Sequence, residues 1–506
     1  MKFNFLIKRT NGQTTNFENA PAYIMSPEQE LYAAVVTAGL NDTFYENADH
    51  RLERIISLMQ KCSAEFVAKL AIYTRREMYL RSVPLVLVTE LAKMNNGNDL
   101  VRKAVNGVVQ RADEITELLA YYQIANKRSG TKKLNRISKQ VQKGLVLAFN
   151  KFDEYQFAKY NRAAEIKLKD ALFLVHPKPK DAGQQVIFDK IAGDNLETPY
   201  TWEVALSTTG QQAYRNEAER KQAFKARWEE LIDSGKVGYM ALMRNLRNIL
   251  EAEVSALHIE KVCARLADAN EVARSKQLPF RFLAAYRELK MVKSTNTTAL
   301  MDALEDAVLE SAANIRGFDW DTQVVIACDV SGSMQKPVSP KSKVLLYDIG
   351  LMLGMLLQSR CKHAVSGMFG DRWKIINLSR KSVLSNVEAF YRREGEVGYA
   401  TNGYLVLEDL ISRKAIVDKV MLFTDTQMWN NNTGNKPFAD YWRRYKLLAP
   451  DAKLYLFDLA GYGRQPVDLV GNDAYLIAGW SDKVFEVLQS LEQGSAAVEM
   501  INAVAL

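Results

Sequence analysis

The hydrophobic pattern of this 506-residue chain changes once, at about residue 322, and that change limits the architectures it can adopt. Before it, apolar residues recur at helical spacing, as at Phe66 and Leu70. After it, short apolar runs alternate with helical segments. Strands that alternate with helices are typical of a doubly wound α/β sheet. We therefore expect a helical domain over 1–316 and an α/β domain over 317–506.

The helical part has no strict sequence repeat, but its amphipathic stretches are numerous and their polar connectors are short. That density predicts antiparallel helical pairs stacked as a solenoid. The least regular stretch is 176–200, which begins His-Pro-Lys-Pro-Lys-Asp, and we expect a long loop there.

The C-terminal part contains several apolar runs that predict buried strands. In chain order, the expected elements are strands Gln323–Cys328, Ala364–Phe369, Lys419–Phe423, Lys453–Asp458 and Ala474–Ile477, and a last helix at about 481–492. Ligands of doubly wound sheets bind beyond the carboxyl ends of the strands, so functional residues are expected where these runs end.

Directly after the first strand, Asp329, Ser331 and Ser333 place three oxygen ligands on one loop. Asp425 follows another strand and offers a carboxylate at the same edge, and the loop that ends at Thr401 adds a hydroxyl. Hard cations such as Mg²⁺ prefer oxygen ligands. The pattern predicts a divalent-cation site, and the alternative is a polar loop without a metal.

Two catalytic interpretations of this loop are weaker. A phosphatase with an aspartyl nucleophile usually has a second Asp two residues on, where this chain has Ser331. A serine hydrolase needs Gly-x-Ser-x-Gly, but Ser333 lies between Gly332 and Met334. We therefore expect binding chemistry at this loop rather than an enzymatic reaction.

The positive charge of the chain is concentrated. There are 67 Lys and Arg against 59 Asp and Glu, a net charge of +8. Residues 1–316 hold the whole excess, 46 against 38, whereas 317–506 hold 21 of each. Residues 101–150 alone carry ten basic and three acidic side chains. A concentrated basic surface attracts polyanions, most commonly nucleic acid, and the alternative is a solvated helix face.

Other features limit the compartment. The four cysteines share no CxxC or CxxH spacing, which disfavours a disulfide scaffold or zinc finger and favours a reducing cytoplasm. The N-terminus lacks a signal-peptide pattern, and no window offers about 18 uncharged apolar residues. We expect a cytoplasmic protein with no membrane partner.

The predicted metal ligands resemble the metal-ion-dependent adhesion site of von Willebrand factor A domains. The Asp-x-Ser-x-Ser pattern is complete, and Thr401 and Asp425 match the loop threonine and second acidic residue of that family. Tyr399 and Ala400 stand where the family usually has glycines.

Helices followed by a single von Willebrand factor A domain resemble the TROVE family over nearly the whole chain. The segments that carry this resemblance are Ser26–Tyr32, His176–Pro179, Trp202-Glu203, Ala241–Asn248 and Gln277–Phe282. The resemblance implies a monomeric ring of HEAT-like helical pairs closed by the α/β domain. It also implies a noncatalytic ribonucleoprotein component that binds Y-like RNA and single-stranded ends of misfolded RNA, in noncoding RNA quality control. An exoribonuclease or other protein is the implied partner at the Mg²⁺ site.

Twelve basic residues are candidate RNA contacts. His176 and Lys178 match the RNA-contact segment of the family. The densest basic run is Lys127, Arg128, Lys132, Lys133, Arg136, Lys139 and Lys143, of which the last three share one helix face. The remaining candidates are Arg75, Arg76 and Arg81, which cluster near a helix end and are either phosphate ligands or helix C-terminal caps.

Two alternative functions stay open. The first is a metal-dependent protein-interaction or adhesion scaffold, in which the helical part is structural. The second is an RNA-processing or repair enzyme. Because the four histidines have no paired catalytic spacing and no GxxxxGK[ST] occurs, the enzyme ranks last.

Overall fold

The structure is a computed structural model. It describes residues 13–38, 46–95, 97–126, 136–161, 164–311, 321–338, 342–428, 438–480, 484–485, 487–488 and 497–506. The RNA candidates Lys127, Arg128, Lys132 and Lys133 lie outside these residues, as does most of the helix expected at 481–492.

Among the described residues, strands occur in the C-terminal part, where they alternate with helices, and as a pair at the start. The helices are α1 (Pro27–Val36), α2 (Ala48–Met59), α3 (Ala64–Arg76), α4 (Ser82–Met94), α5 (Leu100–Val108), α6 (Ala112–Ala125), α7 (Lys139–Phe149), α8 (Glu154–Tyr160), α9 (Leu168–Val175), α10 (Ala182–Gly193), α11 (Trp202–Gln211), α12 (Glu217–Asp233), α13 (Tyr239–Arg244), α14 (Leu246–Glu251), α15 (Ala256–Ala267), α16 (Ala269–Ser275), α17 (Pro279–Leu289), α18 (Thr297–Ser311), α19 (Leu346–Arg360), α20 (Leu384–Tyr391), α21 (Tyr404–Ser412), α22 (Phe438–Leu448) and α23 (Ala497–Asn502). The strands are β1 (Gln13–Thr15), β2 (Pro21–Ile24), β3 (Gln323–Asp329), β4 (His363–Phe369), β5 (Trp373–Ile375), β6 (Lys419–Thr424), β7 (Lys453–Asp458), β8 (Arg464–Gln465) and β9 (Ala474–Ala478).

One compact unit is helical and comprises Ile56–Gln277, Ala285–Ala307 and Glu499–Leu506. Its first helices pack in two rows: α3 contacts α4 and α5, α4 contacts α6, and α5 contacts α7. Leu70 of α3 and Val105 of α5 are completely buried, so apolar side chains fill the space between these helices. This is the packing of stacked helical pairs that the sequence predicts.

The expectation of a long loop over 176–200 is wrong, because α10 occupies the middle of that stretch. Asp181 caps the helix by accepting a 2.7 Å hydrogen bond from the Gln184 N–H, and Phe188 and Ile191 bury its inner face. Few residues of this helix are buried and the stretch begins with prolines, which obscures the helix in the sequence.

The second unit is the expected α/β domain and comprises Met1–Ile55, Leu278–Ala284 and Val308–Val498. Its six-stranded sheet has the order β5-β4-β3-β6-β7-β9. All neighbouring pairs are parallel except β4 and β5. The buried helix α19 packs against β3, β4 and β6. The carboxyl ends of the parallel strands therefore meet at one edge.

The start of the chain clusters with this sheet, so the compact units divide differently from the expected 1–316 and 317–506. Strand β2 pairs antiparallel with β1 and with β8. The buried Arg51 guanidinium donates to the carbonyls of Ala34 and Ala460, and the Tyr32 hydroxyl donates to the Ala478 carbonyl at 3.0 Å. These strands are too short to show a period in the sequence, which is why the pattern did not reveal them.

No helix of the described residues has the length and apolar character to cross a membrane. All four cysteines are free thiols, and Cys328 and Cys361 are buried.

Two glycines test how tightly the start of the chain docks. Gly461 has φ +65°, and a Cβ there would lie 2.5 Å from the Ala33 carbonyl oxygen, whereas Gly471 has φ +74° and open space around it. A positive φ costs alanine about 1–2 kcal/mol. We expect Gly471→Ala to lower the free energy of unfolding by that amount. Gly461→Ala should lower it by roughly 1–3 kcal/mol more, because its Cβ would overlap the Ala33 carbonyl oxygen. Urea unfolding of the full chain measures both, and equal losses would contradict the close packing.

Candidate functional site

Four of the predicted metal ligands, Asp329, Ser331, Ser333 and Asp425, come together at the carboxyl edge of the sheet. Cys328 of β3 pairs with Phe423 of β6, so the two strands end side by side. Asp329 directly follows Cys328, and Asp425 lies two residues after Phe423. The predicted ligands are all buried, with exposed fractions of 5% or less: Asp329, Ser331, Ser333, Thr401 and Asp425.

The loop after β3 turns back on the end of its own strand. The main-chain N–H of Ser331 donates to Oδ1 of Asp329 at 2.9 Å, and the Thr424 hydroxyl donates to Oδ2 at 2.6 Å. The hydroxyl oxygens of Ser331 and Ser333 lie 3.3 Å apart. Thr424 therefore orients the Asp329 carboxylate from the neighbouring strand, a role that the sequence motif does not show.

The loop that carries Thr401 closes against this turn through its main chain. The Gly332 N–H donates to the Tyr399 carbonyl at 3.1 Å, and the Asn402 N–H donates to the Gly370 carbonyl at 3.3 Å. The Tyr399 side chain is exposed. Tyr399 thus holds the loop in place with its backbone and leaves its ring outside.

The electrostatics of the site are those of two buried carboxylates. Burial raises the pKa of both Asp329 and Asp425, and the charge of Asp329 raises the pKa of Asp425 further. The Ser333 hydroxyl and the main-chain N–H of Gln427, 3.1 Å from Oδ1, lower the pKa of Asp425. Oδ2 of Asp425 is buried and accepts no hydrogen bond within the described part of the chain.

The carboxylate and hydroxyl oxygens of the predicted ligands fit a hard divalent cation. The set offers oxygen atoms only, and the free Oδ2 of Asp425 leaves an acceptor that a cation would satisfy. A positive ion would also offset the repulsion between the two carboxylates. Among the described residues, no group of three or more His, Cys, Asp or Glu could hold a metal. A metal here would therefore depend on the hydroxyls as well as the carboxylates.

The second candidate region is a basic surface on α7 and the loop after α9. The Gln142 side-chain amide on α7 donates to the Val175 carbonyl at 3.0 Å, directly before His176. At the other end of α7, the Asn150 amide donates to the Lys178 carbonyl at 2.9 Å and accepts from the Lys180 N–H at 2.8 Å. The loop is therefore fixed along the helix at two points.

These bonds place five exposed basic side chains on one surface. We name it the α7 surface, and its members are Lys139, Lys143, His176, Lys178 and Lys180. Within the described residues, none of its lysines forms an ion pair with a carboxylate. Arg136 is also exposed, but it lies three residues before α7 begins, so the expectation that it shares a helix face with Lys139 and Lys143 is wrong. Lys180 was missed by sequence reasoning, although it continues the alternation of proline and lysine from Pro177.

The three arginines near the end of α3 are engaged within the protein. Arg75 pairs with Glu114 at 2.8 Å, and Arg81 pairs with Asp113 at 3.1 Å. Arg76 donates through Nε to the Gly107 carbonyl at the end of α5, at 3.2 Å. The sequence left phosphate ligands and helix C-terminal caps open; in the structure Arg75 and Arg81 pair with carboxylates, and Arg76 contacts a carbonyl at the end of a helix.

Comparisons with known proteins agree with this architecture. The sequence profile of the TROVE domain matches residues 22–227 and 192–316. The crystal structure of the Deinococcus radiodurans Ro (RSR) protein superimposes with a TM-score of 0.57 at 16% identity, covering 93% of this chain and 100% of that one. That likeness shows a shared fold.

Two curated relatives match a shorter region. Telomerase protein component 1 of Rattus norvegicus is 24% identical over 329 residues, and that of Mus musculus is 25% identical over 322 residues. The matches cover 48% and 47% of this chain but only 12% of each relative.

The backbone at His176 yields a stability prediction. This residue ends α9 with φ +48°, in the left-handed region. Asparagine adopts that region readily, whereas a β-branched residue does not. We expect His176→Asn to change the free energy of unfolding by less than about 0.5 kcal/mol. His176→Val should lower it by about 1–2 kcal/mol. Urea unfolding compares the two, and equal effects would show that the imidazole rather than the backbone matters.

Proposed function

Because this chain belongs to the TROVE-domain family of RNA-binding ribonucleoprotein components, we propose that it binds Y-like noncoding RNA and single-stranded ends of misfolded RNA, in noncoding RNA quality control. The observation that carries the proposal is the α7 surface, whose lysines have no carboxylate partners in the described chain. In this proposal the protein is a cytoplasmic monomer without catalytic activity of its own.

The α7 surface suits phosphate because it is both charged and rigid. Lys139 and Lys143 are four residues apart on one helix, and Gln142 and Asn150 fix the loop that presents His176 and Lys178. Lysines that neutralise phosphates release condensed counterions, so binding is favourable at low salt and weakens as salt rises. Such contacts position an RNA backbone without reading its bases, which suits a protein that binds many RNAs.

We further propose that Mg²⁺ binds at the edge of the sheet, held by Asp329, Ser331, Ser333, Thr401 and Asp425. A bound ion would supply a positive charge that could bind an acidic side chain of a partner protein, such as an exoribonuclease. The Thr424 hydroxyl holds the Asp329 carboxylate in place, and the main-chain N–H of Gln427 does the same for Asp425.

The RNA proposal predicts the effect of reversing charge on α7. Lys139→Glu with Lys143→Glu should weaken binding of a small structured RNA by at least about tenfold at moderate salt. It should also reduce the slope of log affinity against log salt by about 1 to 2, because two phosphate contacts are lost. A gel-shift titration at several salt concentrations measures both quantities.

The matched control is Lys221→Glu with Lys225→Glu. These lysines have the same i, i+4 spacing on α12 and change the net charge equally. The control should bind RNA with an affinity close to that of the wild type. Equal weakening by both pairs would show a general charge effect and would reject the α7 surface as the RNA site.

The Mg²⁺ proposal predicts a stabilisation that depends on Asp329. Ligand at a hundred times its dissociation constant adds about 2.7 kcal/mol to stability, so saturating Mg²⁺ should raise the melting temperature by several degrees. Asp329→Ala should abolish this rise. The control Asp321→Ala, which removes an exposed carboxylate just before the same strand, should keep it. Differential scanning calorimetry measures the melting temperature with and without Mg²⁺. A wild-type melting temperature that does not change with Mg²⁺ would refute the site.

A further inference from the structure

The loop that carries Asp425 lies between the candidate metal site and the start of the chain. On one side, the main-chain N–H of Gln427 donates to Oδ1 of Asp425 at 3.1 Å. On the other side, Oε1 of the same Gln427 accepts the main-chain N–H of Phe17 at 3.0 Å. Gln427 is completely buried. A single residue therefore contacts both the carboxylate and a segment about 410 positions away in the sequence.

The start of the chain holds this loop through a second residue. Residues 13–24, which contain β1 and β2, form what we call the N-terminal hairpin. At its turn, Oδ1 of Asn16 accepts the N–H groups of Glu18 and Ala20 at 3.0 and 2.9 Å. Nδ2 of Asn16 donates to the Met428 carbonyl at 2.6 Å. Oδ1 of Asn16 thus stabilises the hairpin turn, and Nδ2 of Asn16 binds the loop that carries Asp425.

A third contact joins the loop to the strand that the hairpin pairs with. The Thr426 hydroxyl donates to the Arg464 carbonyl at 2.8 Å, and Arg464 lies opposite Ile24 of β2. Thr426 also has φ +64°, a left-handed conformation that threonine rarely adopts and that surrounding contacts must enforce. The conformation of the Asp425 loop therefore depends on the hairpin and on β8.

We infer that Asn16 and Gln427 are positioning residues for the proposed cation site, so that cation binding and docking of the N-terminal hairpin stabilise each other. The inference rests on the Mg²⁺ site proposed above. A cation at the site would fix Asp425, and Asp425 fixes the main chain of Gln427. The Gln427 side chain in turn accepts the main-chain N–H of Phe17. By linkage, if the cation strengthens docking by some factor, docking strengthens cation binding by the same factor.

This reciprocity is what distinguishes a positioning role for Asn16 from a merely structural one. A residue that only stabilised the fold would change the melting temperature and leave the Mg²⁺ affinity of the folded protein unchanged. A positioning residue changes the affinity itself, and the dependence must run in both directions.

The test uses the full-length protein, Mg²⁺ as the probe, and two readouts: isothermal titration for affinity and hydrogen exchange of peptides from 13–24. Asn16→Asp keeps the acceptor for Glu18 and Ala20 and removes the donor to Met428. Gln427→Met removes the acceptor for Phe17 together with the 3.4 Å hydrogen bond from Nε2 to the Asp425 carbonyl, and gives a second test should the first variant not fold. The control is Ile24→Thr, because the Ile24 side chain is 56% exposed and only its backbone pairs with β8.

We expect saturating Mg²⁺ to slow exchange of the hairpin in the wild type and in Ile24→Thr. We expect Asn16→Asp and Gln427→Met to bind Mg²⁺ at least about fivefold more weakly, the lower range of coupling between two sites. Faster hairpin exchange with unchanged Mg²⁺ affinity would overturn the linkage and leave the metal site standing. Absence of Mg²⁺ binding to the wild type would overturn both.

Discussion

The free energy of burying Asp329 and Asp425 side by side is the constraint on which the functional edge of the α/β unit depends. An ionised carboxylate moved away from water without a partner is strongly destabilising, and a second one beside it adds repulsion. The structure offsets part of this cost with the Ser331 N–H, the Thr424 hydroxyl, the Gln427 N–H and the Ser333 hydroxyl. It supplies no donor to Oδ2 of Asp425 within the described residues. This unpaired acceptor and the surrounding hydroxyl oxygens fit a hard cation.

The helical unit has the opposite arrangement, in which positive charge is left uncompensated on one surface. All three acidic residues of 101–150 lie on α6, namely Asp113, Glu114 and Glu117. Arginines outside α6 engage them: Arg75 pairs with Glu114, and Arg81 pairs with Asp113. The α7 surface therefore keeps its lysines free of ion pairs in the described chain. The excess positive charge is thus not spread evenly over the surface. Carboxylates compensate the arginines near the end of α3, whereas the lysines of the α7 surface have no such partners in the described chain.

Sequence patterns predicted the edge of the sheet well because one geometric rule governs it. Parallel strands end at the same edge, so polar residues after β3 and β6 had to approach each other. The same reasoning could not find Thr424 as the residue that orients Asp329, since its role depends on the register between two strands.

Long-range packing accounts for the rest of what the sequence concealed. The N-terminal hairpin has strands of three and four residues, and its partner β8 has two. Segments that short carry no readable period. Gln142 and Asn150, which fix the loop of the α7 surface, are single amides within an amphipathic helix, and nothing in their spacing distinguishes them. Helix α10 was hidden for a related reason, because few of its residues are buried.

Crosslinking of the protein to the RNA that it carries in its native cell tests the central claim most directly. Ultraviolet crosslinking, purification, sequencing of the RNA and mass spectrometry of the crosslinked peptides give both partners of the contact. The account predicts noncoding RNA crosslinked to peptides that contain 139–143 and 176–180. Purification without RNA, or crosslinks confined to the α/β unit, would contradict it.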